Sequence, residues 1–355
     1  VNQKSFFGVN VSLNNKLLVP YSSHEYLPEK DNKYSEDTTT SFIYDQFKDY
    51  GIGHGCSVKW NHTNENTIVE TEYLPFCETP DIDPIPRDKS KNSINDDKDG
   101  FVSPIFLENS KSQEFKWLSI FSDATNDDII NGLNDFVDSY GNWIELKRKD
   151  VKYQDDYSGI AKQELDKCEN DYLRMKRNIS DFLSGKSNEE KLASFRLMNA
   201  AMFMQLWHSV KAKQDDVKSL MNNDSFTYFN FDFYKRNATD KLFSKTESAG
   251  WRAFQLAFIL LNLDGIFKSN EDLNWDKRNN WVDLVWFPTG GGKTEAYLGL
   301  IAITIINRRK EFKEEGGGTA AIMRYTLRLL TMQQFQRASL LIMALELIRR
   351  WGGYE

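Results

Sequence analysis

The stretch "WFPTGGGKTEAY", residues 286–297, decides how this chain folds. Three consecutive glycines, a lysine and a threonine stand between two apolar segments, "WVDLVWF" (281–287) and "TEAYLGLIAITIINRRK" (294–310). Backbone N–H groups that converge at the start of a helix, with the helix dipole behind them, are the most economical holder of a polyphosphate. In this stretch Gly290, Gly291 and Gly292 let the backbone approach phosphates, Lys293 reaches toward the β- and γ-phosphates, and the Thr294 hydroxyl is a ligand for Mg²⁺. The expected cofactors are therefore ATP and Mg²⁺. The general phosphate-loop pattern places a glycine where this chain has Phe287, so the strict pattern fails. The context holds, because an apolar strand-like segment precedes the loop and an apolar helical segment follows it.

Working outward, "EFKEEGGGT" turns the chain into a second strand-like run, "AAIMRY" (320–325), followed by the long helical pattern "LRLLTMQQFQRASLLIMALELIRRW". Strand, loop, helix, turn, strand, helix is the order of a parallel βαβα unit with a right-handed crossover. The expected fold class is α/β: a partial phosphate-loop lobe with a parallel sheet and flanking helices, preceded by an α+β N-terminal region. Three segments are expected. Residues 1–124 are rich in turns and short apolar runs bounded by Pro and Gly. Residues 125–245 carry helical periodicity in "DDIINGLNDFVDSY", "ELDKCENDYLRMKRNISDFL" and "FRLMNAAMFMQLWHSV", with Ser187 as an N-cap ahead of the third helix. That region closes with "SFTYFNFDFYKRNAT", where Phe229, Phe231 and Phe233 alternate with polar residues as in a half-buried strand. Residues 246–355 begin the phosphate-loop lobe.

The net charge of -7 is unevenly spread. From Trp281 onward ten Lys/Arg face seven Asp/Glu, which leaves -10 on residues 1–280. Only the C-terminal part can supply a local grip on a phosphate backbone. Cys56, Cys77 and Cys168 lie far apart with no CxxC spacing, which excludes a disulfide framework or a zinc ribbon and reads as thiols of a reducing compartment. No stretch reaches the length of apolar residues that a membrane span requires, so the sequence reads as cytoplasmic. "NDDKDG" (95–100) copies the first half of a calcium loop but has Phe106 where the bidentate glutamate belongs. His54, Cys56, His62 and Cys77 fit no zinc spacing. The basic cluster Arg308, Arg309, Lys310 and Lys313 reads as a helix end complementing the macrodipole, with a nucleic-acid contact as second reading. Glu295 reads as a first-turn acid.

The loop wording "FPTGGGKT" resembles that of superfamily 2 helicases and translocases, with Phe in place of the usual Ala. "WRAFQ" (251–255) resembles their adenine-contacting element, and "RYTLRLLTMQQ" (324–334) stands where their first DNA-contacting motif lies, with Tyr325 replacing a proline and Gln333 one residue late. Across residues 192–350 the wording is similar to the helicase-like subunits of DISARM antiphage defence. The resemblance implies a RecA-like lobe in which Thr289, Gly290, Gly291, Gly292, Lys293 and Thr294 hold nucleotide, with Lys293 and Thr294 catalytic and Thr294 on Mg²⁺. It implies further that Arg252 and Gln255 meet the adenine and that Arg324, Thr326, Arg328 and Gln333 meet DNA. The implied partners are DNA, single-stranded or with a single-stranded overhang, and the companion subunit DrmB; no membrane is implied.

Hydrolysis also needs a carboxylate pair to hold Mg²⁺ and arginines to meet the charge developing on the γ-phosphate. No apolar strand ending in two acids follows Lys293, and about sixty residues remain beyond it. The expectation is an N-terminal piece of a motor that continues past Glu355 and that by itself hydrolyses little. Two other function classes stay open: a non-catalytic scaffold that docks a partner, and a small-molecule phosphotransferase.

Overall fold

The computed structural model describes residues 10–15, 17–18, 34–44, 50–51, 56–62, 66–72, 120, 124–149, 158–211, 250–267, 282–285, 292–325 and 328–352. The chain divides into two units, Val1–Ser93 with Arg148–Glu164, and Ile94–Lys147 with Leu165–Glu355.

In the first unit, strands β1 (Ser12–Asn15), β2 (Ser57–His62) and β3 (Thr67–Glu72) form an antiparallel sheet of order β1-β3-β2. Ser12 faces Glu70, and Trp60 faces Val69. Thr67 and Val69 are buried two residues apart, as the period of a strand requires. Lys59 on β2 pairs with Glu72 at 3.1 Å and Glu70 at 3.6 Å on β3, the cross-strand contact that favours this register. Helix α1 (Glu36–Ile43) starts where the Ser35 hydroxyl accepts the Thr38 N–H at 3.1 Å.

The second unit is helical among its described residues. It contains α2 (Asn126–Lys149), most of α3 (Ser158–Phe182), α4 (Glu189–Lys211), α5 (Ala253–Phe267), α6 (Lys293–Phe312) and α7 (Arg328–Gly352). The start of α2 is a capping box: the Asp128 N–H donates to the Thr125 hydroxyl, and the Thr125 N–H donates to the Asp128 carboxylate. Phe195, Met198, Ala201, Met202, Phe203 and Met204 on α4 are all essentially inaccessible. A helix apolar around most of its circumference must be covered on several sides, and α4 packs against both α6 and α7. The core that results joins α2, α3 and α4 to α5, α6 and α7.

Polar ties inside this core fix which helix faces which. Arg174 of α3 grips Asp264 of α5 with two hydrogen bonds, at 3.0 and 3.2 Å. The Asn178 amide donates to the carbonyl of Leu260 at 2.8 Å. Asn199 of α4 turns its amide N–H to the Phe195 carbonyl, which aims its oxygen at the buried Trp251 indole N–H, 2.7 Å away. A buried donor and acceptor satisfied in this way select one arrangement, because any other leaves a polar group stranded.

One sequence expectation is corrected, and a second is not met among the described residues. Ser187 does not cap α4: it lies inside a 3-10 turn, Lys186–Asn188, and α4 begins at Glu189 directly behind it. Asn188 ties that turn back by donating to the Ser184 carbonyl at 2.7 Å. The parallel sheet is not seen among the described residues. Residues 282–285 and 319–325, the apolar runs on either side of α6, form no ladder, and Val282, Leu284 and Ile322 are strongly exposed. An apolar run becomes a strand only when a neighbour pairs with it. The sheet seen is the antiparallel one of the first unit. The aromatic segment 225–239 and the turn at 95–100 lie outside the described residues, as do His54 and Cys77.

Candidate functional site

The site is built where α5 and α6 begin. Gly292 caps α6 in the left-handed conformation, φ 89°, and the 20-residue helix opens with Lys293 and Thr294, both half-buried. A left-handed N-cap is favourable only for glycine or a few small polar residues. Here space enforces the choice too, since a Cβ on Gly292 would stand 2.8 Å from the Gln255 amide nitrogen. That amide is the second component. Gln255 lies in the first turn of α5, 2% exposed, donates to the Gly292 carbonyl at 2.7 Å and accepts the Arg252 N–H at 2.8 Å. The side chain therefore clamps the last residue of the loop to the start of α5.

Packing holds the two helix starts together. Gly299 on α6 lets Trp251 and Ile259 approach; a Cβ there would meet the Trp251 ring at 2.7 Å. Phe258 and Tyr297 meet edge to face with centroids 6.1 Å apart. At the far end of α6, Arg308 donates to the carbonyls of Gly316 and Gly317 at 3.2 and 3.1 Å, and Lys310 donates to the Glu190 carbonyl at 3.1 Å. Burial pulls the Lys310 amine below its ordinary range, with Glu190 opposing. Two members of the basic cluster thus close the turn after α6 and brace α4.

Glu295 carries more than a first-turn acid requires. One carboxylate oxygen takes the Arg337 guanidinium of α7, and the other is buried with no hydrogen-bond partner among the described residues. Burial pushes the Tyr325 phenol above its ordinary range; Tyr297 adds to the effect, and the charge of Arg337 opposes it. Neither Arg337 nor Tyr297 was marked by the sequence, since a salt bridge across 42 residues leaves no periodic trace. The hint available was the acid directly after Lys293-Thr294.

Of the residues expected to act, Gly292, Lys293, Thr294 and Gln255 come together at this site. Arg252 lies beside it, exposed, and donates its backbone N–H to Gln255. Arg324 and Gln333 are exposed, Gln333 in the second turn of α7, and Arg328 is the first residue of that helix. Thr289, Gly290, Gly291 and Thr326 lie outside the described residues, as do the side chain of Arg328 and the departing Phe287. Among the described residues no group of three His, Cys, Asp or Glu could hold a metal, and no helix is long and apolar enough to cross a membrane.

The described half of the cradle fits a nucleotide. The first-turn N–H donors of a long helix, a lysine at its first position and a hydroxyl at its second suit a phosphate with its cation. Chemically, the arrangement can bind an anion and orient it.

No protein-family model matches the chain. It is 30% identical over 334 residues to a curated relative from Bacillus paralicheniformis, DISARM protein DrmA. The match takes in 92% of this chain but 26% of that protein, so the chain spans about a quarter of its relative's length.

Proposed function

We propose, on the premise that likeness to DrmA runs along 92% of the chain, that this is the nucleotide-binding part of an ATP-driven DNA motor of antiphage defence. The motor would be a superfamily 2 helicase or translocase with a RecA-like lobe. The observation that carries the reading is the clamp of Gln255 on Gly292 at the start of α6. It joins the adenine-contacting element of the resemblance to the phosphate loop, two elements 37 residues apart in sequence.

The start of α6 would hold ATP and Mg²⁺: the loop N–H groups and Lys293 would take the phosphates, and the Thr294 hydroxyl would be the ligand offered to magnesium. Gln255 keeps a second amide N–H beyond the one given to Gly292, which is the group available to an adenine edge. When bound, ATP supplies the phosphoryl group whose loss drives the cycle; the residues described here bind and orient it. DNA is met by Arg324, Thr326, Arg328 and Gln333, carried by the segment that leads into α7. DrmB is the companion subunit. The N-terminal sheet and α1 receive no part in this reaction.

Hydrolysis by the full-length protein tests the reading. With single-stranded DNA added, wild-type turnover rises, and Lys293→Ala removes at least 100-fold of it, as expected when a group acting on the transferred phosphoryl is lost. DNA-independent turnover of a small phosphoryl acceptor would favour the phosphotransferase. Absence of turnover with DrmB and DNA both present would favour the scaffold.

A further inference from the structure

Telling ATP from GTP requires a hydrogen-bond acceptor at the base. On the edge beside its five-membered ring, adenine presents a ring acceptor and an amine donor; guanine presents the same ring acceptor and a carbonyl. The second N–H of the Gln255 amide suits the ring acceptor, which both purines share, so it does not discriminate by itself. The Gln255 oxygen is turned to the Arg252 backbone N–H at 2.8 Å, and the Arg252 guanidinium has donors only. The acceptor has to come from another side chain.

Glu295, in the first turn of α6, has one. Any exposed carboxylate would satisfy the helix dipole there, but this one is half-buried. Its Oε1 takes the Arg337 guanidinium of α7, which fixes the rotation of the carboxylate. Its Oε2 is buried and has no hydrogen-bond partner among the described residues. That oxygen and the Gln255 amide nitrogen border one point, since a Cβ built on Gly292 would stand 3.2 Å from the oxygen and 2.8 Å from the nitrogen. A donor and an orphaned acceptor therefore meet beside the residue that caps α6. Together they complement the adenine edge and clash with the guanine edge, where the carbonyl would face the carboxylate. Solvent does not reach Oε2, so a bound ligand is the source of the donor it lacks.

We infer that Glu295 is the residue that selects adenine: its Oε2 accepts the exocyclic amine while Gln255 donates to the neighbouring ring nitrogen. Arg337 is the positioning residue that holds the acceptor in place. The inference rests on the nucleotide-binding part of the function proposed above.

The test measures nucleotide affinity on full-length protein, by competition with a fluorescent ADP. The competitors are ATP, inosine triphosphate, which carries a carbonyl in place of the amine, and purine riboside triphosphate, which carries hydrogen there. Wild type binds ATP about tenfold or more tightly than either analogue, because a site built around a donor rejects ligands that lack it. In Glu295→Gln the arginine takes the amide oxygen and turns the NH₂ toward the base, so a donor replaces the acceptor. ATP then weakens and inosine triphosphate tightens, until their affinities lie within about twofold or invert. Glu295→Ala, the second variant should Glu295→Gln melt early, brings ATP down to the inosine triphosphate level. A folded variant that keeps the wild-type preference overturns the inference, as does one in which all three nucleotides weaken equally. Wild type that binds purine riboside triphosphate as tightly as ATP also overturns it; DNA-stimulated hydrolysis in the same preparation leaves the motor reading standing. Wild type that binds none of the three overturns both.

Discussion

Gly292 shows how much one residue of this site is asked to do. It holds a left-handed φ, offers its carbonyl to Gln255, and leaves no room for a Cβ. Gly292→Ala adds about 1–2 kcal/mol of backbone strain and a collision with the clamping amide. The expected outcome is at least a tenfold loss of nucleotide affinity, read by fluorescent-nucleotide titration, with only a modest change in melting temperature. An affinity equal to wild type would mean that the loop is not held where the clamp places it. Gln255→Ala separates two duties of the same side chain. It weakens all nucleotides by releasing Gly292, and it narrows the preference for ATP over GTP if the amide also reads the base. Unchanged selectivity would assign Gln255 to the loop alone.

At the scale of elements, the ties between helices explain why α5 starts where the site needs it. Arg174 and Asp264 are nearly buried and doubly bonded, which sets α3 against α5. Removing one partner strands the other charge, so Arg174→Met costs about 3–5 kcal/mol in denaturant unfolding, whereas Arg174→Met with Asp264→Leu recovers a large part of that loss. Equal losses in the single and double variants would show that the arginine acts through other neighbours. Helix identity was legible in sequence because each of α2, α3, α4 and α6 carries its own apolar period. The ties were not legible: Gln255 with Gly292, Asn199 with Trp251 and Glu295 with Arg337 each join residues that no local pattern connects. The pairing of the flanking apolar runs was not legible for a related reason. "WVDLVWF" and "AAIMRY" have the composition of buried strands, but strand formation depends on a partner that composition does not name. Ser187 misleads on a smaller scale, since a serine ahead of two acids signals a cap equally well whether the chain turns once more first or not.

At the scale of the whole molecule, the helical core of the second unit has a pH signature. Burial lowers His208 below its ordinary value of 6.5, beside Trp207. The unfolded chain then binds the proton more readily than the folded one just below pH 6.5, so stability falls as pH drops through that value until the folded-state pKa is passed. Thermal melts between pH 7 and pH 5 are expected to decline in wild type and to decline less steeply in His208→Gln. Parallel slopes would place the titration elsewhere. The likeness to DrmA covers nearly all of this chain and about a quarter of the relative, so the motor is a claim about the full-length protein.

Movement tests that claim most directly. A triplex-forming strand on duplex DNA is displaced only by a protein that travels, so its release is measured with full-length protein, DrmB and ATP, for wild type and Lys293→Ala. The proposed function requires release that depends on ATP and is lost in the variant. Robust DNA-stimulated hydrolysis by wild type with the triplex strand left in place would contradict it, and would make this protein an ATP-driven switch on DNA instead of a motor.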